Sequence, residues 1–469
     1  MAARPLKPRE PQETNETRRL WRDNLAALAL GIALLTGCSS SVGSLPANAP
    51  NRAPSAYDIT VKYVVTFYPL WFTYQQWRVS SVNQFIGPNH MGPLYHAVVA
   101  PNDDTLYANT VVNVTKQPVI LTVPATKDHY SVLSTDAFGD VNDTGIATAG
   151  TYGLTGPDWH GTLPPGVTAV SLPANMTGLI VRADKYAPDG QSEKLQAELF
   201  RRELRAAPLS DYERDPHARP TNILPLFYFS VPFKGIADDL ITKDPIGFLS
   251  QLQKAIASTI PPPLTSQEQA ISAQFDASFN ASNRNDSGFM QGARDAHQMI
   301  LNCYLHNTGK TNWITFANIG TTWSPLVRSA ITEFIQYGNS HATAAYYQTF
   351  KDGEGADLDA KTHTYVLTFG KSQIPQAQRF WSVTAYIPNS ITLARNSARK
   401  YLVGSYTPGL RKNRDGSISI YISQRLPKAV PMANWLPVPS GQFNLMLRVY
   451  GPEGKVAANT YVPPPVEKR

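Results

Sequence analysis

The 469-residue chain is poor in cysteine, with only Cys38 and Cys303, and it contains no Cys-x-x-Cys pair. It also lacks a Gly-x-Ser-x-Gly elbow, a Walker phosphate loop and a His-Glu-x-x-His motif. These absences exclude the hydrolase, nucleotidase and metalloprotease classes that a sequence reveals most readily. They do not exclude an enzyme that relies on carboxylates.

A strong excess of charge is also missing. The chain has 42 Lys and Arg against 35 Asp and Glu, which gives a formal charge of +7. Part of that excess belongs to the first 37 residues, which we expect to be removed. Such a weak basic balance offers no argument for a nucleic-acid partner, and we predict none.

The N-terminal segment has the three parts of a secretory signal. Arginines within residues 18–22 lead into an apolar run from Leu25 to Leu35, and small residues then precede Cys38. The apolar run is too short to span a bilayer. Residues 1–37 are therefore predicted to be a signal peptide.

The stretch Leu35-Thr36-Gly37-Cys38 resembles the bacterial lipobox. The resemblance implies that Cys38 takes a diacylglyceryl group and becomes the first mature residue, anchored through palmitate-like acyl chains on the extracytoplasmic side of a cell membrane. Each buried methylene contributes roughly 0.8 kcal/mol, so two or three chains would give stable attachment to membrane lipid. The alternative is an ordinary secretory signal with an incidental cysteine.

Composition and periodicity divide the rest of the chain into four parts. Aromatic residues recurring every three or four positions over 57–80 predict an amphipathic helix, whose aromatic stripe is expected to be core. Short apolar runs separated by Gly, Pro, Asn and Asp predict strands in an N-terminal and a C-terminal part of the chain. Asp415-Gly416 predicts a hairpin turn in the C-terminal part. The predicted parts are a flexible tether (38–55), an N-terminal β-rich domain (56–187), a helical insert and linker (188–354) and a C-terminal β-rich domain (355–467).

Several short motifs follow one another along the chain. They are Pro101 to Tyr107, Pro118 to Pro124, Gly150 to Leu154, Gly156 to Trp159, Phe380 to Thr384, Asp415 to Ser417, Asn434 to Pro437 and Pro463 to Val466. Together they resemble a tandem bacterial family of unknown function, with a DUF1254 unit followed by a DUF1214 unit. The resemblance covers roughly residues 60–185 and 355–467. It implies two β-sandwich or jelly-roll-like units, hence an α+β and mostly β fold, and a homo-oligomer, but no established reaction.

Acid and base chemistry is suggested by one cluster. Asp103 and Asp104 adjoin Asn102, and His96 lies a few residues upstream. The carboxylates with the imidazole could act as acid and base, although a Pro-Asn-Asp sequence is also a common turn. Neighbouring residues of a strand point to opposite faces, so we expect only one of the two carboxylates to face a given ligand. The spacing of His90 and His96 fits no zinc motif, and neither a metal nor a cofactor is predicted.

Aromatic and basic residues supply the candidate ligand contacts. Trp159, Trp381 and Trp435 lie in the motifs, as do Asn102 and Tyr107, and aromatic faces beside polar groups suit a sugar or a small apolar ligand. The same tryptophans could instead fill a sandwich core. Arg448 lies between Leu447 and Val449 in a predicted strand, where an inward guanidinium must be paired.

Three hypotheses follow. The first is an envelope lipoprotein that binds a small molecule or glycan in a cleft between its two β-rich domains. The second is an envelope-anchored hydrolase in which Asp103 or Asp104 works with His96. The third is a structural or assembly protein, so the sequence leaves open whether the chain is an enzyme.

Overall fold

The computed structural model describes residues 53–88, 91–96, 98–224, 232–280, 283–317, 319–320 and 324–469. The predicted signal peptide, Cys38, most of the predicted tether and His90 lie outside these ranges. Within them the chain is α+β, with nine α-helices and 17 strands in four sheets. No helix in this described part is long and apolar enough to cross a membrane.

The described chain opens with a long, almost fully buried helix, α1 (Ala56–Trp77). Ser55 and Asp58 form a capping box that satisfies backbone N–H groups at its start. Tyr63 and Trp71 are completely buried. The aromatic stripe of this helix therefore belongs to the core, as predicted.

An N-terminal β-sandwich follows, with one additional helix, α2 (Lys194–Glu203). Its strands are β1 (Thr105–Asn113), β2 (Val119–Val123), β3 (Tyr130–Thr135), β4 (Val141–Asp143), β5 (Gly150–Thr155), β6 (Thr168–Ser171), β7 (Met176–Asp184) and β8 (Arg205–Pro208). One sheet has the order β1-β7-β3-β4 and the other β6-β5-β2-β8, and all pairs are antiparallel except β5 with β6. Alternate residues such as Leu106 and Val181 fill the space between the sheets.

A helical layer occupies the middle of the chain. It consists of α3 (Leu209–Arg214), α4 (Phe233–Lys243), α5 (Pro245–Ile256), α6 (Ser266–Ser278), α7 (Ser287–Leu305) and α8 (Pro325–Phe334). Thr265 and Glu268 form a capping box at the start of α6, and Asp244 caps α5. Helices α4 to α8 pack against α1, which explains why α1 is buried on nearly every side.

A second β-sandwich forms the C-terminal unit. Its elements are β9 (Ala344–Thr349), β10 (Tyr365–Phe369), β11 (Ala377–Ile387), β12 (Thr392–Leu393), β13 (Leu402–Gly404), β14 (Ile418–Ser423), β15 (Trp435–Pro437), β16 (Asn444–Pro452), the short helix α9 (Gly454–Ala457) and β17 (Val466–Lys468). One sheet has the order β12-β11-β16-β9, with β13 also paired to β11, and the other has the order β15-β14-β10-β17. Asp415-Gly416 forms a turn before β14, in which Gly416 has a φ of +84° that glycine adopts without strain. The predicted hairpin is wrong, because β13 and β14 on either side of this turn pair with other strands.

The predicted fold class is confirmed, with two β-rich units and helices between them. Two strands lie where the sequence predicted only helices and linker, within 188–354. β8 pairs with β2 in the N-terminal sandwich, and β9 pairs with β16 in the C-terminal one. Both are short, and their partners are more than 80 residues away along the chain, so local sequence patterns carry little signal for them.

Candidate functional site

The two sandwiches turn their outer faces toward a shared cavity. In β1 and β16 alternate residues enter the sandwich cores, so Tyr107, Arg448 and Tyr450 point away from those cores. These faces, the end of α1 and the segment after α8 enclose a cavity of about 120 Å³. The cavity has room for several water molecules.

The predicted Asn102-Asp103-Asp104 cluster forms a turn that joins the two units. The Oδ1 atom of Asn102 accepts hydrogen bonds from the backbone N–H groups of Asp104 (3.1 Å) and Thr105 (3.2 Å). The Nδ2 atom of Asn102 donates to the hydroxyl of Tyr450 (2.6 Å) on β16 of the other sandwich. Asn102 thus shapes its own loop and also lines the cavity.

The two aspartates have different surroundings. Asp104 is 1% exposed, and its carboxylate accepts hydrogen bonds from Ser382 and Tyr406 of the C-terminal unit. Burial raises the pKa of Asp104, although these hydrogen bonds and nearby cations oppose the rise. Asp103 is partly exposed and pairs with Lys185 at 2.6 Å. Neither carboxylate lines the cavity.

His96 does not contact either aspartate in the part of the chain that the structure describes. Its Nε2 atom bonds the carbonyl of Pro93 at 2.8 Å, and its side chain lines a separate cavity of about 50 Å³. The predicted acid and base pairing of His96 with Asp103 or Asp104 therefore gains no support from these contacts, and it stays a prediction.

None of the three predicted tryptophans lines the cavity between the units. Trp381 is 3% exposed in the core of the C-terminal sandwich and packs against Phe369. Trp435 is buried, and its Nε1–H donates to the backbone carbonyl of Ser423 at 3.2 Å. Trp159 is partly exposed in a loop. The core alternative considered for these residues fits Trp381 and Trp435.

Two buried arginines line the cavity, one from each sandwich. Arg448 donates to the hydroxyl of Thr384 (3.3 Å) and to the carbonyl of Ala100 (2.6 Å). Arg182, on β7, donates to Oδ1 of Asn339 (2.6 Å) and to a backbone carbonyl after α8. Among the residues described, neither guanidinium forms an ion pair with a carboxylate. Both sites are thus cationic and satisfied by neutral groups.

Phenol groups surround these cations. The hydroxyl of Tyr450 accepts a hydrogen bond from Asn102, and that of Tyr346 accepts one from the backbone N–H of Asn339 at 2.9 Å. Burial raises the pKa of Tyr450 well above its ordinary value, and the neighbouring hydroxyls of Tyr346 and Tyr107 raise it further. All three side chains line the cavity. Protonated phenols that already accept a bond keep a proton to donate.

A second polar cluster lies in the helical layer. Asp238, His297 and Glu333 have potential ligand atoms within 4.8 Å of one another. The ammonium of Lys234 contacts the carboxylates of both Asp238 (2.9 Å) and Glu333. Tyr68 also donates to Glu333. The ammonium therefore already occupies the space between the two carboxylates, and a metal ion would have to displace it.

Sequence reasoning missed Arg182, Tyr346 and the Lys234 cluster. Arg182 does lie at an outward position of an alternating strand, which could have been read as a signal. Lys234 and Glu333, by contrast, are 99 residues apart and meet only through helix packing. No spacing pattern relates them.

The chain matches two families described as proteins of unknown function, DUF1254 over residues 82–208 and DUF1214 over residues 343–454. These matches cover the two sandwiches in the order predicted. The chain therefore belongs to the family in which a DUF1254 domain precedes a DUF1214 domain. No curated protein matches it significantly.

Two crystal structures are similar to the chain. That of the VPA0106 protein from Vibrio parahaemolyticus has a TM-score of 0.57 at 19% identity, and the match covers 88% of this chain and 100% of the other. It shows a shared fold. An uncharacterised protein from Burkholderia cenocepacia matches with a TM-score of 0.40 at 13% identity over 87% of this chain and 88% of its own, a likeness too weak to support an argument.

Proposed function

We propose that this DUF1254–DUF1214 protein is an envelope lipoprotein that binds a small molecule in the cavity between its two β-rich units. The supporting observation is the cavity itself, which both units enclose and which combines apolar walls with convergent polar groups. Such a combination is typical of ligand sites at domain interfaces.

The dimensions of the cavity favour a small molecule over a glycan. Room for several waters corresponds to a ligand of small-molecule size. A glycan chain would need a longer groove, and none of the three tryptophans predicted to contact a sugar lines the cavity. The hydrolase hypothesis has less support, because His96 and the two aspartates make separate sets of contacts.

A cavity-filling variant tests the binding proposal. Val111 lines the cavity, so Val111→Trp should occupy the ligand's space. Leu199→Trp is the matched control, since Leu199 is 51% exposed on α2. We expect small molecules that co-purify with the control, detected by native mass spectrometry, to be absent from Val111→Trp. Equal occupancy of the two variants, or a small-molecule library that raises the melting temperature of neither, would contradict the proposal.

Membrane attachment through Cys38 is tested with the two cysteines of the chain. The full-length precursor expressed in a bacterial host should yield an acylated N-terminal peptide and remain in the membrane fraction. Cys38→Ser should lose both properties, whereas Cys303→Ser should keep them. Finding Cys38 in the wild type as a free thiol, or in a disulfide with Cys303, would overturn the lipoprotein proposal.

Self-association is the remaining part of the proposal. Membership of the tandem family supports a homo-oligomer, and light scattering of the purified mature protein measures it directly. A mass equal to that of one chain across the accessible concentration range would contradict this part alone.

A further inference from the structure

Two buried guanidinium groups from different sandwiches line one cavity, and among the described residues no carboxylate lines that cavity or forms an ion pair with either group. We infer that the ligand of this cavity is a small organic acid whose carboxylate is held by Arg182 and Arg448. The inference rests on the proposed function, because it names the chemical class of the molecule that occupies the same cavity. It adds the two arginines as the residues that determine this class.

The carboxylates near the cavity already have other partners. Asp104 accepts from Ser382 and Tyr406, and Asp184 forms an ion pair with Arg379. Neither carboxylate forms an ion pair with Arg182 or Arg448, although the charge of Asp104 attracts that of Arg448 from outside the cavity. A buried charge without a counter-ion is costly, so an anion that enters the cavity gains attraction that a neutral molecule does not.

A buried arginine that has no carboxylate partner does not by itself indicate a ligand. Arg205 is also buried, and it is satisfied by the carbonyls of Asp215 and Pro216 (3.0 and 2.8 Å) outside the cavity. What distinguishes Arg182 and Arg448 is that they share one cavity. Arg182 also interacts with the hydroxyl of Tyr107, and Arg448 with that of Tyr386, but five N–H donors leave each guanidinium with further donors for a ligand.

The phenols complete an anion-binding set. Tyr346 and Tyr450 each accept one hydrogen bond from the protein, so their protons are available to an acceptor in the cavity. Hydrogen bonds from neutral donors to a charged acceptor are stronger than those between neutral groups. A carboxylate could thus accept bonds from guanidinium and phenol groups together.

The apolar side chains that line the cavity favour an apolar group on the part of the ligand beyond its carboxylate. Trp77, Val99, Ile180 and Ile335 line the same cavity and present apolar surface. Inorganic phosphate would leave these side chains facing water. A carboxylate attached to a small apolar body would cover them.

The test uses isothermal titration calorimetry on the mature wild-type protein. The probes are benzoate, phenylacetate and hexanoate, with benzyl alcohol as a neutral analogue and inorganic phosphate as a purely ionic one. We expect at least one of the three acids to bind at least about tenfold more tightly than benzyl alcohol and phosphate.

Three variants then assign the effect. Arg448→Met and Arg182→Met should each weaken binding of the preferred acid by at least about tenfold, a larger change than either causes in the binding of benzyl alcohol. Arg205→Met is the matched control, which removes a buried guanidinium elsewhere and should not alter acid binding. If a methionine variant fails to fold, Arg448→Lys retains the charge but loses the planar donor fork, and it should still weaken acid binding.

The outcomes separate this inference from the proposed function. Binding of benzyl alcohol as tight as that of the acids, insensitive to both arginines, would overturn the inference but leave a small-molecule cavity. Phosphate binding without acid binding would replace the organic acid by an inorganic anion. Absence of binding by every probe would overturn the inference, whereas the proposed function is decided separately by the Val111→Trp comparison and the small-molecule library.

Discussion

Lys234 is expected to be one of the most important single side chains for the stability of the helical layer. Its ammonium lies on α4, only 9% exposed, and contacts Glu333, whose side chain is fully buried. Replacing Lys234 with Met keeps a similar length and removes the charge. Glu333 would then lose its closest cation while remaining out of reach of water.

The size of the effect follows from this geometry. Removing one partner of a buried ion pair typically costs about 3–5 kcal/mol, because the other charge is left uncompensated. His297 lies 3.8 Å from Glu333 and can supply part of the missing charge. We therefore expect Lys234→Met to lower the free energy of unfolding by about 3 kcal/mol, the lower end of that range.

Urea unfolding at pH 7 measures this loss: the shift in the midpoint concentration of urea, multiplied by an m-value common to both proteins, gives the change in the free energy of unfolding. Lys243→Met is the matched control on the same helix, because Lys243 pairs with Asp239 at 2.9 Å while both side chains are more than two-thirds exposed. An exposed pair of this kind contributes less than about 1 kcal/mol. In the double variant Lys234→Met/Glu333→Gln neither charge is left unpaired, so most of the stability should return.

The reasoning would be refuted by either of two results. One is a loss for Lys234→Met no larger than that for Lys243→Met. The other is a double variant whose loss equals the sum of its two single variants, since additivity would show that Lys234 and Glu333 do not interact.

Three further predictions concern other sites. Two neighbouring carboxylates outweigh the effect of burial and raise the pKa of His297 from 6.5 to about 9. The protonated His297 therefore contributes about 3 kcal/mol to the free energy of unfolding below pH 6.5, and this contribution is lost as the pH rises through 9. His297→Gln should flatten this pH dependence when unfolding is measured from pH 6 to 9. Asp104→Asn should lower the free energy of unfolding by about 1–3 kcal/mol, because one buried hydroxyl donor loses its acceptor. Asp103→Asn should cost less. Equal losses would contradict the different surroundings assigned to the two aspartates. Trp381→Ala should lower the free energy of unfolding by about 3–5 kcal/mol, because it truncates a core side chain. Trp159→Ala should cost less, since Trp159 is partly exposed, and thermal unfolding compares the two variants. The reverse order would show that Trp381 is not in the core.

Local patterns predicted the parts of the fold that local physics controls. The spacing of aromatic residues in α1 predicts a helix because side chains three or four apart share one face. The runs in β11 and β16 predict strands because alternate side chains of a strand share one face. Asp415-Gly416 does form a turn, but the turn precedes β14 and does not join two paired strands. The short strands β8 and β9 escaped prediction, because their partners β2 and β16 are distant in sequence.

The site was predictable only in part. Asn102, Tyr107 and Arg448 were predicted as ligand contacts and do line the cavity. Arg182 and Tyr346, which line it as well, were not identified. Strand alternation shows that a strand has two faces, but it does not reveal that the outer faces of two sandwiches enclose one cavity.

The sequence by itself determined the kinds of elements, their order and the two β-rich units, because these depend on periodicities of two and 3.6 residues that neighbouring positions carry. The tertiary structure decided which charges meet. Asp104 reaches Tyr406, and Lys234 reaches Glu333, across about 300 and 100 residues of chain. Such pairings come from packing between elements, and their energies depend on burial, which no local pattern records.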